Sequence, residues 1–183
     1  YKSDHFVPVK AVSIPWSVLK SDTSIMLTDV GTGTEEDFAL KATEIKGKMV
    51  VIESPLARAN NLPISAMTDL VERAIRFQAK GVLFISRTEE NTYAYGNAAI
   101  PGSLAKIPVI SISAESGLEL RDWMAESKLL AFLHIRNRQS ESVVQSVIAK
   151  LPGNSESSIV LETNMEAIAP KSAGAVAYTT SSL

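Results

Sequence analysis

The part of the chain that decides the fold begins with the sequence KGKMVVIE at residues 46–53. It continues through AKGVLFIS at 79–86 and IPVISIS at 107–113, and an amphipathic run at 64–79 joins the first two. Short apolar runs bounded by Gly and Pro predict strands that are buried on both faces. Apolar residues in the run 64–79 recur at three- and four-residue intervals, which predicts a helix with one buried stripe. Together these elements predict an α/β body with a central sheet and flanking helices, from about residue 25 to residue 135.

Further elements are predicted on either side of this stretch. Residues 25–30 predict a strand, and the acidic residues 35–37 after it favour the start of a short helix. Residues 6–19 contain two prolines and predict an edge strand with an extended connection. Ser113 can cap a second long helix, and residues 129–135 predict a returning strand. Gly81 is predicted to cap the end of the first long helix, on which Glu72 and Arg76 are spaced to form an ion pair.

Composition excludes several classes of function. The chain has 183 residues and a formal net charge of -2, which provides no basic face for nucleic acid. It contains no cysteine, so disulfides and thiolate metal sites are excluded. Its apolar runs are shorter than the ~20 residues that span a bilayer, and no basic-then-apolar signal segment opens it. The two histidines, His5 and His134, belong to no metal-binding pattern. Because His134 lies in an apolar run predicted to be a strand, we expect it to pack in the interior.

The order and spacing of the strands, with Gly47, Gly81 and Gly117 among them, resemble the protease-associated (PA) domain. This module stands beside the catalytic domain in M28-type zinc peptidases, and the resemblance covers about residues 25–150. It implies a mixed α/β fold with a PA-domain-like sheet or barrel core, assigned to residues 1–139. It also implies that this part has no catalytic machinery, that its partners are a parent catalytic domain and a peptide substrate, and that the protein is extracellular or in the cell envelope.

Residues 140–183 differ in character from the rest. The sequences VIAKLPG at 147–153 and SIVLE at 158–162 predict two strands around a polar turn, followed by a tail of small residues at 173–183. This pattern resembles the opening hairpin of the M28 catalytic domain, so 140–183 is interpreted as an incomplete start of that domain or as a linker. Because no further strands of such a sheet are predicted here, we expect the hairpin to be poorly anchored.

The zinc signature of the M28 family is degenerate in this chain. In the family, the second hairpin strand ends in His-x-Asp, whose histidine binds zinc. The matching positions here are Asn164, Met165 and Glu166, and no acidic residue occurs at 170–177. An asparagine amide is a poor zinc ligand beside neutral imidazole. We therefore predict no cofactor in this chain, with zinc confined to the parent if that parent is a peptidase.

The segment 87–106 has no clear period and is too long for an ordinary connection, which is typical of a functional loop. Its candidate binding side chains are Arg87, Tyr93, Tyr95 and Asn97. Tyrosines on loops bury a large contact area at low cost in conformational entropy. The alternative is that the two tyrosines fold back onto the domain.

Three functions are compatible with these observations. The first is a non-catalytic PA domain, a substrate-lid or protein-interaction module of an M28-like metallopeptidase. The second is a receptor-like degenerate peptidase homologue, and the third is an intact enzyme of unknown type. A homodimer stays open. Sequence beyond Leu183 separates these readings, since a Glu-Glu pair and a later Asp and His would indicate an active parent.

Overall fold

The computed structural model describes residues 7–53, 65–87, 93–94 and 96–140, together with the backbone of the strands 159–163 and 175–179. The chain divides into two compact units, Tyr1–Gln139 and Ser140–Leu183. The assignment of these units to a PA domain and to the start of a catalytic domain stays a prediction.

Six strands and four helices form the described part of the first unit. The strands are β1 (Ala11–Ser13), β2 (Lys20–Asp29), β3 (Met49–Glu53), β4 (Gly81–Ile85), β5 (Val109–Ile112) and β6 (Leu130–Arg136). The helices are α1 (Glu35–Leu40), α2 (Ala42–Ile45), α3 (Ala66–Arg76) and α4 (Ala114–Glu126).

The strands form one mixed sheet in the order β1-β5-β4-β3-β2-β6. Strands β2 to β5 are parallel, and β1 and β6 pair antiparallel to β5 and β2 at the two edges. The Asn137 Nδ2 group, just after β6, donates to Ser13 Oγ in β1 at 2.7 Å and to the Val18 carbonyl at 2.6 Å. This side chain draws the two edges together, so the sheet curls into a nearly closed, barrel-like shape. The predicted α/β fold with a sheet or barrel core is confirmed.

Alternate residues of the central strands pack into two separate apolar clusters. Val50 and Ile52 of β3 face the cluster that contains Leu70 and Val71 of α3. Val51, on the opposite face, packs in the cluster that contains Leu120 of α4. Both faces of the parallel strands are covered, which explains why these segments are continuous apolar runs rather than alternating ones.

The predicted end of the first long helix is wrong. Helix α3 ends at Arg76, and Gln78 adopts the left-handed conformation, with φ of 62°. The Ala79 N–H donates to the Ala74 carbonyl and the Gln78 N–H to the Ile75 carbonyl, both at 2.9 Å. These two bonds form a Schellman motif with glutamine at the position where glycine is usual. Gly81 instead begins β4, where an added Cβ would lie 2.5 Å from Met49 Cε.

Two side-chain predictions on these elements are also corrected. Arg76 was expected to pair with Glu72 on the same helix. It pairs instead with Glu35 of α1, at 3.1 Å. His134 is 72% exposed, and its Nδ1 lies 2.6 Å from Asp22 Oδ1 of the neighbouring strand. The reason is the period of a strand: His134 shares the outward face of β6, so the apolar neighbours on either side of it in sequence point to the other face.

The turn before α1 contains a complete capping box. Thr34 Oγ1 accepts from the Asp37 N–H at 3.1 Å, and Asp37 Oδ2 accepts from the Thr34 N–H at 3.0 Å. These bonds satisfy two backbone donors that a helix start otherwise leaves open. The helix start predicted from the acidic residues 35–37 is confirmed.

The capping box makes stability depend on pH. The bond from the Thr34 N–H lowers the pKa of Asp37 below its usual 3.8, and the hydroxyls of Thr34 and Thr32 add to this effect. A lowered pKa in the folded state stabilises the fold above pH 3.8, and that contribution is lost as the pH falls through the lowered value. We expect Asp37→Asn to be less stable than the parent at neutral pH and to approach it in acid.

Urea denaturation at neutral and acidic pH measures this difference. Glu36→Gln is the matched control, because it removes a carboxylate from the same helical turn without touching the capping bonds. A parallel decline of the Asp37→Asn variant and the parent across the whole pH range would contradict the role of Asp37.

The second unit contains a β-hairpin. Strand β7 (Ile159–Thr163) pairs antiparallel with β8 (Ala175–Thr179). The strand predicted at 158–162 is confirmed within one residue, but its partner lies in the segment interpreted as a small-residue tail. The tail contains Val176 and Tyr178, which are residue types that favour strands. The sequence prediction took account only of its small residues and so missed this strand. The other predicted strand, within 147–153, lies outside the described residues.

Within the described ranges, none of the helices has the length and apolar character needed to cross a membrane.

Candidate functional site

Charged side chains follow three neighbouring parallel strands at the same edge of the sheet. Asp29 ends β2, Glu53 ends β3, and Arg87 comes two residues after β4. Because the carboxyl ends of parallel strands meet at one edge, the sheet brings these three residues together. Helix α4 adds Arg121 from the face that packs on the strands.

These four residues, here called the carboxyl-end cluster, form a chain of ion pairs. Arg121 Nε lies 2.8 Å from Asp29 Oδ2, and Arg121 Nη1 lies 3.2 Å from Glu53 Oε2. Arg87 Nε lies 2.9 Å from the other Glu53 oxygen, Oε1. Each of the four side chains is partly buried, so these pairs are less screened than exposed ones. The cluster ties the ends of three strands to one helix.

The charges of the cluster are balanced. Burial acts to lower the pKa of Arg121, but its hydrogen bond to Asp29 and the charge of that carboxylate, with Glu53 adding to both, raise it above its usual value. Arg121 therefore keeps its positive charge. Two guanidinium groups face two carboxylates. This arrangement is better suited to holding the strand ends and loops in place than to transferring a proton.

A shallow groove of about 530 Å³ begins beside the cluster. Its lining includes Asp29 and Arg121 of the cluster together with Lys41, Lys48 and Lys128. Lys41 Nζ donates to the Asp29 carbonyl, which attaches the α1–α2 connection to the end of β2.

The predicted binding residues do not all lie together. Arg87 belongs to the carboxyl-end cluster through Glu53. Asn97 lies beside α3, where its backbone carbonyl accepts from Thr68 Oγ1 at 3.0 Å. Tyr93 is half-buried, and the neighbouring Ala94 N–H donates to Ser111 Oγ of β5 at 2.8 Å. Tyr95 lies outside the described residues.

The second half of the candidate loop is fixed to the body. Ala98 and Ala99 are buried, and the Ala98 N–H donates to the Pro15 carbonyl at 2.9 Å. The Ala105 N–H donates to the carbonyl of Trp16, which has a φ of 64°. Trp16 holds the third position of a turn that the Ser17 N–H closes onto the Ile14 carbonyl, where glycine is usual. These contacts attach residues 98–105 to the body of the first unit.

Sequence reasoning missed Asp29, Glu53 and Arg121. A weak signal was available for the two carboxylates, because each stands at the end of an apolar run predicted to be a buried strand. Polar residues at the carboxyl ends of parallel strands are frequent site residues. Arg121 gave no such signal, since its partners are 92 and 68 positions away in sequence.

The described residues do not fit a zinc site. Among the residues that the structure describes, no three His, Asp or Glu side chains come together in a way that could hold a metal ion. His134 pairs with Asp22 on the outward face of the sheet. Asn164 and Glu166, the positions that the M28 resemblance relates to metal ligands, and His5 lie outside the described residues.

Comparison with known proteins gives one kind of match. No family model and no curated protein matches the chain. Among solved structures, the aminopeptidase from Aneurinibacillus sp. strain AM-1 matches with a TM-score of 0.53 and 24% identity over 70% of this chain. BSAP, a zinc aminopeptidase from Bacillus subtilis, matches with a TM-score of 0.52 and 21% identity over 74% of the chain. A peptidase M28 precursor from Shewanella amazonensis SB2B matches with a TM-score of 0.54 and 16% identity, also over 74%.

The likeness establishes a shared fold. The chain spans 28%, 30% and 33% of the lengths of these three proteins. At such identities, the fold of this chain is that of a part of larger zinc aminopeptidases and M28 peptidases, and the chemistry of those proteins is not carried over with it.

Proposed function

We propose that the first unit is a non-catalytic protease-associated domain, a substrate-lid or protein-interaction module of an M28-like metallopeptidase. The observation that carries the proposal is the likeness to a limited part of larger peptidases, 28% of the length of the aminopeptidase from Aneurinibacillus. A segment of this size with its own core can fold as a separate domain, which supports an accessory domain within a larger protein.

The chemistry of the described residues supports a binding role. In the carboxyl-end cluster, each carboxylate accepts from a guanidinium, so the charges serve to hold neighbouring loops in place. Loops presented by a rigid sheet are the usual sites of contact with ligands and partners. The proposed contact side chains are Arg87, Tyr93, Tyr95 and Asn97, and the proposed partners are the catalytic domain of the parent and its peptide substrate.

A second candidate follows from the degenerate zinc signature. Asn164 and Glu166 stand where the family has His and Asp, which favours a receptor-like homologue whose peptidase half has become structural. In both proposals the chain itself does not hydrolyse peptides, and zinc belongs to an active parent alone. An extracellular or cell-envelope location, implied by the PA resemblance, goes with both.

We expect the chain to show only background turnover of aminopeptidase and carboxypeptidase substrates, with added zinc or cobalt. A catalytic zinc site needs three or more His, Asp or Glu ligands held together, and Asn164 removes the first of them. A zinc aminopeptidase run in the same assay provides the positive control.

Two variants make this test decisive. Glu166→Ala removes the carboxylate at the degenerate position, and Glu162→Ala removes another carboxylate of the same segment. Metal-dependent turnover that disappears in Glu166→Ala and persists in Glu162→Ala would contradict the non-catalytic proposal.

A further inference from the structure

The segment that follows β6 is exposed and has no regular secondary structure. It consists of residues 138–140, and the boundary between the two compact units falls within it, after Gln139. The backbone groups of these three residues make no hydrogen bond to any other residue that the structure describes. Exposed backbone without hydrogen-bond partners is where endopeptidases cut folded chains. The junction therefore has the local structure of a cleavage site.

The arginine in this segment differs from the other arginines of the described ranges. Each of the others forms an ion pair with an aspartate or a glutamate, and they are Arg73, Arg76, Arg87, Arg121 and Arg136. Arg138 is exposed, and within the same ranges its guanidinium pairs with no carboxylate. Its charge holds no described element of the fold in place, so the side chain is available to an outside partner.

The last described bonds of the first unit are made one residue earlier, by Asn137. Its N–H donates to the Leu19 carbonyl at 2.7 Å, and its Nδ2 donates to Ser13 Oγ at 2.7 Å and to the Val18 carbonyl at 2.6 Å. All three bonds lie on the amino side of Arg138. A cut after Arg138 would thus leave every described hydrogen bond and ion pair of the first unit intact.

We propose that the Arg138–Gln139 peptide bond is a processing site for an arginine-directed endopeptidase of the trypsin type. Such an enzyme binds the arginine side chain through a carboxylate at the base of its specificity pocket, and this charge-assisted pair is strong. Water adds across the peptide bond: the carbonyl carbon of Arg138 gains a hydroxyl and becomes a carboxylate, and the nitrogen of Gln139 gains a proton and leaves as an amine. The first unit is thereby separated from the residues that follow, whatever that unit binds.

Arg136 provides a comparison within the same chain. It lies opposite Lys20 of β2, and its Nη2 is 2.5 Å from Asp22 Oδ2. An endopeptidase binds its substrate in an extended conformation, so a cut after Arg136 requires the end of β6 to leave the sheet. A cut after Arg138 requires little beyond the opening of the contacts of Asn137. Because cleavage follows the population of the opened state, we expect it to be at least about tenfold faster after Arg138 than after Arg136.

Incubation of the full chain with an arginine-specific endopeptidase under native conditions tests this site. Mass spectrometry measures how fast the new carboxyl end at Arg138 and the new amino end at Gln139 appear, and likewise the ends produced by a cut after Arg136. Both tryptophans of the chain, Trp16 and Trp123, lie in the first unit, so their fluorescence reports its unfolding in urea. In the fraction cut only after Arg138, we expect the same urea midpoint as in the uncut chain.

Substitutions assign the cut to Arg138. Arg138→Gln is expected to abolish cleavage at this bond. Arg76→Gln is the matched control, because it removes the same charge from another exposed arginine, and it should leave the cut at 138 unchanged. Arg138→Lys keeps the charge: it should resist the arginine-specific enzyme and still be cut at this bond by trypsin, which shows that the junction itself has not changed.

Three outcomes overturn the proposal. The first is the absence of ends at Arg138 until urea unfolds the chain, and the second is cleavage after Arg136 as fast as after Arg138. The third is loss of the tryptophan unfolding transition after the cut, which would make the junction part of the fold rather than a place to divide the chain. A negative result leaves the expected lack of peptidase activity untouched, so the two proposals fail separately.

Discussion

Val51→Asp is expected to unfold the first unit at room temperature. Val51 lies in the middle of β3, is 0% exposed, and packs beside Leu83 and Leu120 in an apolar cluster. A carboxylate there would lose its hydration without gaining a partner, which costs several kcal/mol even when it takes up a proton. A domain of this size has a stability of about 5–15 kcal/mol, so the loss is a large part of the total.

Far-UV circular dichroism and urea denaturation measure the effect. Val12→Asp is the matched control, because it makes the same substitution in the edge strand β1 at an exposed position. We expect it to cost at most about 1 kcal/mol, the span of intrinsic strand preferences. If Val51→Asp unfolds at the same urea concentration as the parent, β3 is not the buried centre of the sheet.

Gly117→Ala is expected to destabilise the unit, although alanine is the better helix former by about 0.5–1 kcal/mol. Gly117 lies where α4 crosses β4, and an added Cβ would come within 2.2 Å of Ile85 Cγ2. Neither the buried Ile85 nor the helix can yield without repacking, so we expect a net loss of about 1–3 kcal/mol. The midpoint of urea denaturation should fall accordingly.

The neighbouring substitution Leu118→Ala provides the control, since Leu118 is 67% exposed on the same helix. It should change the stability by no more than about 0.5 kcal/mol. Because Arg121 is one turn further along α4, a displaced helix would also loosen its bonds to Asp29 and Glu53. A variant Gly117→Ala that equals or exceeds the parent in stability would show that helix and strand are further apart than described.

The sequence was a good guide where burial is continuous. The runs that became β3, β4 and β5 are mostly apolar and have Gly or Pro close by, and the three-to-four-residue period of α3 is clear. Each of these signals depends only on neighbouring residues, so it can be recognised without knowledge of the tertiary structure. The same holds for the helix start predicted from residues 35–37 and for the cap Ser113, whose side chain accepts from the Ser116 N–H.

The sequence was a poor guide where the answer depends on distant residues. The partner of Arg76 is on another helix, and the outward direction of His134 depends on the register between β2 and β6. Arg121 joins the candidate site only because α4 packs across the ends of two strands far from it in sequence. The end of α3 at Gln78 is a different case, since a local motif that usually requires glycine tolerates glutamine there.

The contact between Asn137 and Ser13 has a consequence for the way the chain folds. It joins residues 124 positions apart, and β1 and β6 are the outermost strands of the sheet at both ends. Pairings of such long range are slow to form, because the entropy of closing the chain is lost before the contact stabilises it. During synthesis, the parallel strands β2 to β5 can assemble early. The contact between the two edge strands can form only after residue 137 has left the ribosome. Folding of the first unit is therefore expected to reach completion only when almost the entire unit has left the ribosome.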